Sequence, residues 1–358
     1  MSADIPFVIQ EEIIKRVVPV KSLIRFRSVS KQWKSLIDSS EFITRHSLLP
    51  AKPHHLLLRY TVASEPKYVS IVDDDSFPHH KFSPIVSPTV KPVEIAIVRM
   101  LDCSHGLVCL FGITAYGTEL IVLWNPSIRK SLTIVLLFGM SYVVGFGVCP
   151  KTSDPKIVKI KCVNRASAID SKAEVFTLSS RAWRSVPMNL SQYSSKCLYK
   201  QVVIDGVIHW VATNLITNNK MIISFDLTSE EFGEVDLPDS LAGSRSLDIS
   251  KLNESLHVLD YRGDAVCYVW MMSKSDISKS SFTKLFSVKV PSFSIIGFRN
   301  NGQLIMHQMH FHIRYRELEV YEPESKHKNG LGIYGSGFSM ASYTESLLLL
   351  NHYDSIIQ

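Results

Sequence analysis

His307, His310 and His312 are the residues best suited by type and spacing to hold a metal ion, because alternate positions 310 and 312 share one face of a strand. No cysteine adjoins them and the nearest carboxylate is Glu317, so ordinary strand histidines explain the pattern better. Asp73-Asp74-Asp75 offers oxygen ligands that suit calcium, yet it lacks the loop glycine and final glutamate of a calcium-binding hand. A solvated loop is expected there. Gly145-Phe146-Gly147 has the look of a phosphate cradle, but Pro150 follows in place of a further glycine and no long helix opens. Those two glycines are expected to permit tight strand packing instead. Neither G-x-S-x-G, H-E-x-x-H nor a P-loop glycine-lysine pair occurs. The expectation is a chain with no catalytic residue, no metal and no cofactor.

The elements that would carry any site must be built from 358 residues, of which 46% are hydrophobic and 20% charged. That balance excludes a wholly disordered chain and allows a large core. A net charge of +6 is too small and too spread to signal nucleic-acid binding. The six cysteines are far apart and form no C-x-x-C, which predicts buried thiols in a reducing compartment, cytoplasm or nucleus. Met1-Ser2-Ala3-Asp4 has no basic and apolar leader, so no signal peptide is expected. The stretch Ile134 to Val148 is short of the ~20 residues of a membrane span and is broken by Gly139, Gly145 and Gly147. Two strands around a turn are expected in its place, and no membrane partner.

Residues 1–48 read as three short helices. Ile9, Ile13, Ile14 and Val17 recur at helical spacing, Pro6 suits a first turn and Pro19 ends the segment. Leu23, Ile24, Phe26 and Val29 form a second series, Trp33, Leu36 and Ile37 a third, with Ser39-Ser40 as the break. Fewer than fifty residues cannot bury so many large side chains, so part of this surface must meet either the rest of the chain or a partner.

The run Pro19-Val20-Lys21-Ser22-Leu23-Ile24-Arg25-Phe26-Arg27-Ser28-Val29-Ser30-Lys31-Gln32-Trp33-Lys34-Ser35-Leu36-Ile37, with Ile5-Pro6 and Ile13-Ile14 before it, closely resembles the F-box of plant F-box proteins. Val8 stands where that family usually has an acidic residue, and Arg16-Val17-Val18-Pro19 is one residue longer than its usual arginine-leucine-proline run.

From about residue 53 the texture changes to short apolar runs and turns. His55–Leu58, Gly106–Leu110, Lys156–Ile160, Gly206–Trp210, Ser255–Leu259 and Gly302–Met306 begin about 50 residues apart, and most are followed ten to twenty residues later by a second run. Four strands repeated at ~40–50 residues predict propeller blades, six of them, with Leu347–Leu350 as a closing strand. The competing arrangement is a pair of β-sandwiches; one sandwich of ~300 residues would be large. Trp124, Trp183, Trp210 and Trp270 are expected to fill wedges between blades rather than line a ligand groove.

This region resembles the F-box-associated domain of the same plant proteins, through Gly106-Leu107-Val108-Cys109, Leu123-Trp124-Asn125-Pro126, Gly145-Phe146-Gly147 and Asp205-Gly206-Val207-Ile208-His209-Trp210. The match continues in Val269-Trp270-Met271 and Thr283-Lys284-Leu285-Phe286, with Phe282 where the family commonly has tryptophan. The resemblance implies an α+β multidomain chain: a three-helix F-box at 1–48 and an all-β, propeller-like target-recognition domain at 53–358. It implies a non-catalytic substrate receptor of an SCF (Skp–cullin–F-box) ubiquitin ligase, whose partners are the Skp adaptor, cullin through it, and an unidentified target. Adaptor docking would then fall to Ile5, Pro6, Ile9, Ile13, Pro19, Leu23, Phe26, Val29 and Trp33. Target capture is expected on loops between the paired runs, at Tyr116, Ile216 and Arg262. The alternatives are a scaffold or a carbohydrate-binding propeller outside the ligase.

Overall fold

The protein is represented by a computed structural model describing residues 5–17, 19–47, 54–77, 83–88, 95–136, 142–161, 173–188, 190, 193–194, 200–214, 216–244, 246–262, 265–273, 281–290, 293–308, 316–352 and 355–357. Its packing divides into two units. Met1–Leu58, Lys67–Leu137 and Ala341–Gln358 form the first, and Arg59–Pro66 with Phe138–Met340 form the second.

The first unit opens with four helices: α1 (Phe7–Val17), α2 (Val20–Phe26), α3 (Lys31–Ile37) and α4 (Ser40–Ser47). The Pro6 carbonyl accepts from the Ile9 and Gln10 amides at 2.9 and 3.1 Å, so the proline starts α1 as its lack of an amide allows. Pro19, extended at φ −57° and ψ 147°, separates α1 from α2. The hydroxyl of Ser30 accepts from the Trp33 amide at 3.1 Å and caps α3. Ser39 and Ser40 do not end the helical region. The Ser39 hydroxyl donates to the Leu36 carbonyl at 2.8 Å and accepts from the Phe42 amide at 3.2 Å, closing α3 while capping a fourth helix. That helix buries Phe42, Ile43 and His46. Arg27 grips Asp38 with both ends of its guanidinium, at 2.6 and 3.0 Å, and ties the end of α2 to the end of α3.

The strands follow as antiparallel meanders. The first are β1 (His55–Val62), β2 (Glu65–Val72) and β3 (Ser83–Ile85), then β4 (Ile95–Ser104), β5 (Leu107–Thr114), β6 (Glu119–Asn125) and β7 (Lys130–Val135). Next are β8 (Tyr142–Val148), β9 (Pro155–Lys161), β10 (Ala173–Thr177) and β11 (Ala182–Val186). After these come β12 (Tyr193–Ser194), β13 (Gln201–Ile204), β14 (Val207–Asn214), β15 (Lys220–Asp226) and β16 (Phe232–Asp236). A short helix α5 (Asp239–Ala242) leads to β17 (Ser246–Leu252), β18 (Ser255–Arg262), β19 (Val266–Ser273) and β20 (Ser281–Lys289). The last are β21 (Phe293–Phe298), β22 (Leu304–Gln308), β23 (Arg316–Tyr321), β24 (Lys328–Tyr343) and β25 (Ser355–Ile357).

Among the described residues these strands form five sheets. The first unit holds β25-β7-β6-β5-β4; the second holds β11-β10-β9-β8, β12-β14-β15-β16 with β13 also on β14, and β17-β18-β19-β20. The fifth has the order β21-β22-β23-β24-β1-β2-β3, and its strands β1 and β24 are divided between the units. The six periodic runs seen in the sequence are β1, β5, β9, β14, β18 and β22, and their companions are the next strands in the same sheets. The repeat is therefore a repeat of strand pairs, each pair within one sheet.

The expected closing strand at Leu347–Leu350 is not a strand. The Leu350 amide donates back to the Leu347 carbonyl at 3.0 Å in a turn. Asn125 donates to the carbonyls of Ser346 and Leu348 at 3.0 and 2.7 Å, and Lys130 to that of Leu350 at 2.6 Å. Side chains thus satisfy the carbonyls that a sheet ladder would have used. Beyond the turn β25 joins β7 in parallel register, Ile357 opposite Ile134.

Gly145 and Gly147 sit in β8, and a Cβ on Gly145 would lie 2.1 Å from Cζ2 of Trp210, one on Gly147 2.5 Å from Cδ1 of Leu227. The glycines serve packing, as their strand context predicts. Trp124 and Trp210 are both buried, Trp124 meeting the Tyr68 ring edge-on at 5.0 Å. Cys109, Cys149 and Cys267 are buried free thiols and Cys103 a partly buried one. No group of three potential metal ligands converges among the described residues, and His310 and His312 lie outside them. No helix among the described residues is long and apolar enough to cross a membrane.

Candidate functional site

The helical periodicity of α1 separates two kinds of isoleucine. Ile14 points inward at 4% exposure, whereas Ile5, Ile9 and Ile13, spaced four residues apart, stay 53%, 51% and 49% exposed. Val8 and Val29 are exposed as well. An aromatic cluster links the three helices beside this row: Trp33 packs edge-on against Phe7 at 6.0 Å and tilted against Phe26 at 5.6 Å. Phe26 and Trp33 remain half-buried, and Pro6 and Pro19 are exposed at the helix starts. Lys21, Arg25, Lys31 and Lys34 add exposed positive charge on α2 and α3.

Leu23 stands apart from the other expected docking residues. It is fully buried, with Val20, Ile37 and Phe42 the other most deeply buried apolar residues of the helical segment. Its role is to hold the helices together, because a side chain with no exposed surface cannot meet a partner without unfolding. The face that is left can bury apolar area against another protein.

The helices are also fastened within the first unit. The Glu345 carboxylate accepts from the Val20 amide at 3.2 Å, and Asn351 donates to the Asp38 carbonyl at 2.6 Å.

The three residues expected to meet a target differ in their settings. Tyr116 is 91% exposed in the β5–β6 turn, which Thr114 closes by accepting from the Gly117 amide at 2.9 Å. Ile216 is exposed in the β14–β15 loop, where the Asn214 carboxamide oxygen accepts from the amides of Ile216 and Thr217 at 2.9 and 3.1 Å. That local turn leaves the Ile216 side chain outside any core. Both loops join the second and third strands of their meanders, as the periodicity suggested, although Leu215 lies outside the described residues.

Arg262, at the end of β18, is engaged in the fold. Its Nε donates to Oδ2 of Asp260 at 2.8 Å, its Nη2 to the Ser240 carbonyl at 3.0 Å, and its guanidinium lies 5.1 Å from the Tyr268 ring centre. Asp260 has no exposed surface and takes a second bond from the Ser244 hydroxyl at 2.5 Å. Arg262 thus neutralises a buried carboxylate, a role the sequence reading did not assign it. The signal was present in Asp260-x-Arg262, two residues on one face of a strand. Burial, with the nearby Asp260 charge adding to it, pushes the Cys267 thiol up to about 12.

Comparison with known proteins finds two family matches along the chain. Residues 3–45 match the family described as F-box domain, and residues 59–335 the family described as F-box associated beta propeller domain. An F-box only protein of Arabidopsis thaliana is 26% identical over 303 residues, 82% of this chain and 76% of the relative. An F-box/kelch-repeat protein of the same plant is 26% identical over 80% of this chain and 79% of its own length. Other Arabidopsis thaliana F-box proteins are matched over as little as 58% of their length. Among solved structures, the beta-propeller domain of the Trilobed protease from Pyrococcus furiosus is 14% identical with a TM-score of 0.41, covering 68% of this chain and 71% of that one.

Proposed function

Because the chain belongs to the family of F-box proteins that carry an F-box associated beta propeller domain, we propose that it is the target-recognition subunit of an SCF ubiquitin ligase. The observation that carries this reading is the exposed row Ile5, Ile9 and Ile13 beside the Phe26–Trp33 cluster. A free apolar row of that kind, on a segment that matches the F-box domain, fits an adaptor-docking face. We place the Skp-binding module at 1–48 and the target-binding module at 53–358, with cullin reached through the adaptor, in the cytoplasm or nucleus.

In this reading the chain makes and breaks no bonds. It holds a target lysine close to the charged ubiquitin-conjugating enzyme, which raises the effective concentration of the nucleophile. Target contacts are assigned to Tyr116 and Ile216, whose side chains are exposed on loops. Arg262 contributes through its guanidinium edge only, since Asp260 already claims it.

The target-binding module is proposed to be a six-bladed closed ring. What supports six is the length of β24: sixteen residues suffice for two four-stranded modules, β21-β22-β23-β24 and β24-β1-β2-β3. The other four sheets supply one module each. Co-purification from plant extract tests the function. Wild type should retain both adaptor and cullin, and loss of cullin with retention of adaptor would point to a scaffold outside the ligase.

A further inference from the structure

The first unit contains a cleft of about 590 Å³ between α2, strands β1–β3, the β6–β7 turn and the residues around Glu345. That volume lies within the range of small-molecule sites. Lys21 and Arg25, four residues apart on α2, share one face of the helix and both line the cleft, as does Arg129 from the turn. Among the described residues none of these three cations has an acidic partner. The turn carrying Arg129 is held by Asn125, whose side-chain oxygen accepts from the Ser127 amide at 3.0 Å while its amide group donates to the Ser346 carbonyl.

The wall holds one carboxylate, Glu345, which accepts from the Val20 amide. His55 adds no charge at neutral pH, because burial lowers its pKa, and its Nδ1 lies 3.0 Å from the Ser70 hydroxyl. Three cations against one carboxylate leave an excess of two positive charges in a concave site, which focuses the field on an entering anion. Ile24 and Ile85 supply apolar wall beside the charges. We propose that this cleft binds a phosphate monoester carried on a small apolar group, the dianion meeting Lys21, Arg25 and Arg129 and the organic part resting on Ile24 and Ile85. Arginine forks match phosphate oxygens in pairs, and a dianion balances the excess charge. The proposal does not depend on the ligase assignment.

Calorimetric titration of the full chain with 1-naphthyl phosphate tests the proposal, with 1-naphthol, inorganic phosphate and a phosphoserine nonapeptide as companions. Saturable binding of 1-naphthyl phosphate is expected, with 1-naphthol and inorganic phosphate each at least about tenfold weaker. The variant Lys21→Gln/Arg129→Gln, both exposed positions, should weaken that binding by about tenfold or more at an unchanged melting temperature. Tighter binding of the phosphopeptide, lost in the same variant, would assign the phosphate ester to a polypeptide source. No saturable binding of either phosphorylated probe overturns the proposal, and so does binding that the double variant leaves intact.

Discussion

Truncating Ile9 and Ile13 together to alanine separates docking from folding. Both are about half exposed, 51% and 49%, so the surface each offers a partner can be worked out. Shortening each to alanine removes about 60 Å² of exposed apolar area, worth roughly 1.5 kcal/mol apiece at about 25 cal/mol per Å². If the adaptor covers both, about 3 kcal/mol is lost, a weakening of about 150-fold in Kd. The same area contributes little to the folded chain, so stability should move by no more than about 0.5 kcal/mol. Leu23→Ala supplies the contrast: that side chain is fully buried, and its truncation should cost about 2–5 kcal/mol of stability. The assay is surface plasmon resonance against purified Skp adaptor, alongside thermal melts of all variants. Ile9→Ala/Ile13→Ala binding the adaptor within twofold of wild type would refute the docking face. A matching fall in its melting temperature would show instead that these residues belong to the fold.

Gly145→Ala should destabilise the chain by about 1–3 kcal/mol because its methyl would collide with the Trp210 ring, and Trp210→Phe in the same chain should recover part of that loss; purely additive effects in denaturant unfolding would contradict the contact. Arg262→Ala should cost about 1–3 kcal/mol by stranding the buried Asp260 carboxylate, whereas Tyr116→Ser/Ile216→Ser should leave the melting temperature unchanged and weaken target capture in a ubiquitination assay. His257 is buried, and desolvation lowers its folded pKa below the value of about 6.5 in the unfolded chain. The unfolded chain therefore takes up the proton first. Stability should fall as pH drops through about 6.5 and stop falling below the lowered folded pKa. His257→Gln should flatten that part of the pH–stability curve, and an unchanged slope would rule out the histidine as its source.

Local signals in the sequence determined a great deal about this protein. The helical series ending at Ile37, the prolines at 6 and 19, and the run from Pro19 to Ile37 mark the N-terminal helices and their family. The ~50-residue recurrence of apolar runs marks the strand pairs, because a repeated module repeats its buried positions. Other features depend on what is packed nearby. Leu23 and Ile13 are alike as apolar helical residues, and only the placement of α2, α3 and α4 puts one in the core and leaves the other exposed. Ser39-Ser40 reads equally as a helix stop and a helix cap, and the choice rests on whether Phe42 and Ile43 find a core to enter. Leu347–Leu350 has strand composition, but Asn125 and Lys130, more than two hundred residues away in the chain, take its carbonyls and hold a turn. Arg262 has the exposure of a recognition residue, and the burial of Asp260 assigns it to the fold. At Leu347–Leu350 the deciding partners are distant in sequence, whereas at Ser39 and Arg262 they are near neighbours and what decides is whether packing buries Phe42 and Asp260; a periodicity of apolar residues carries neither.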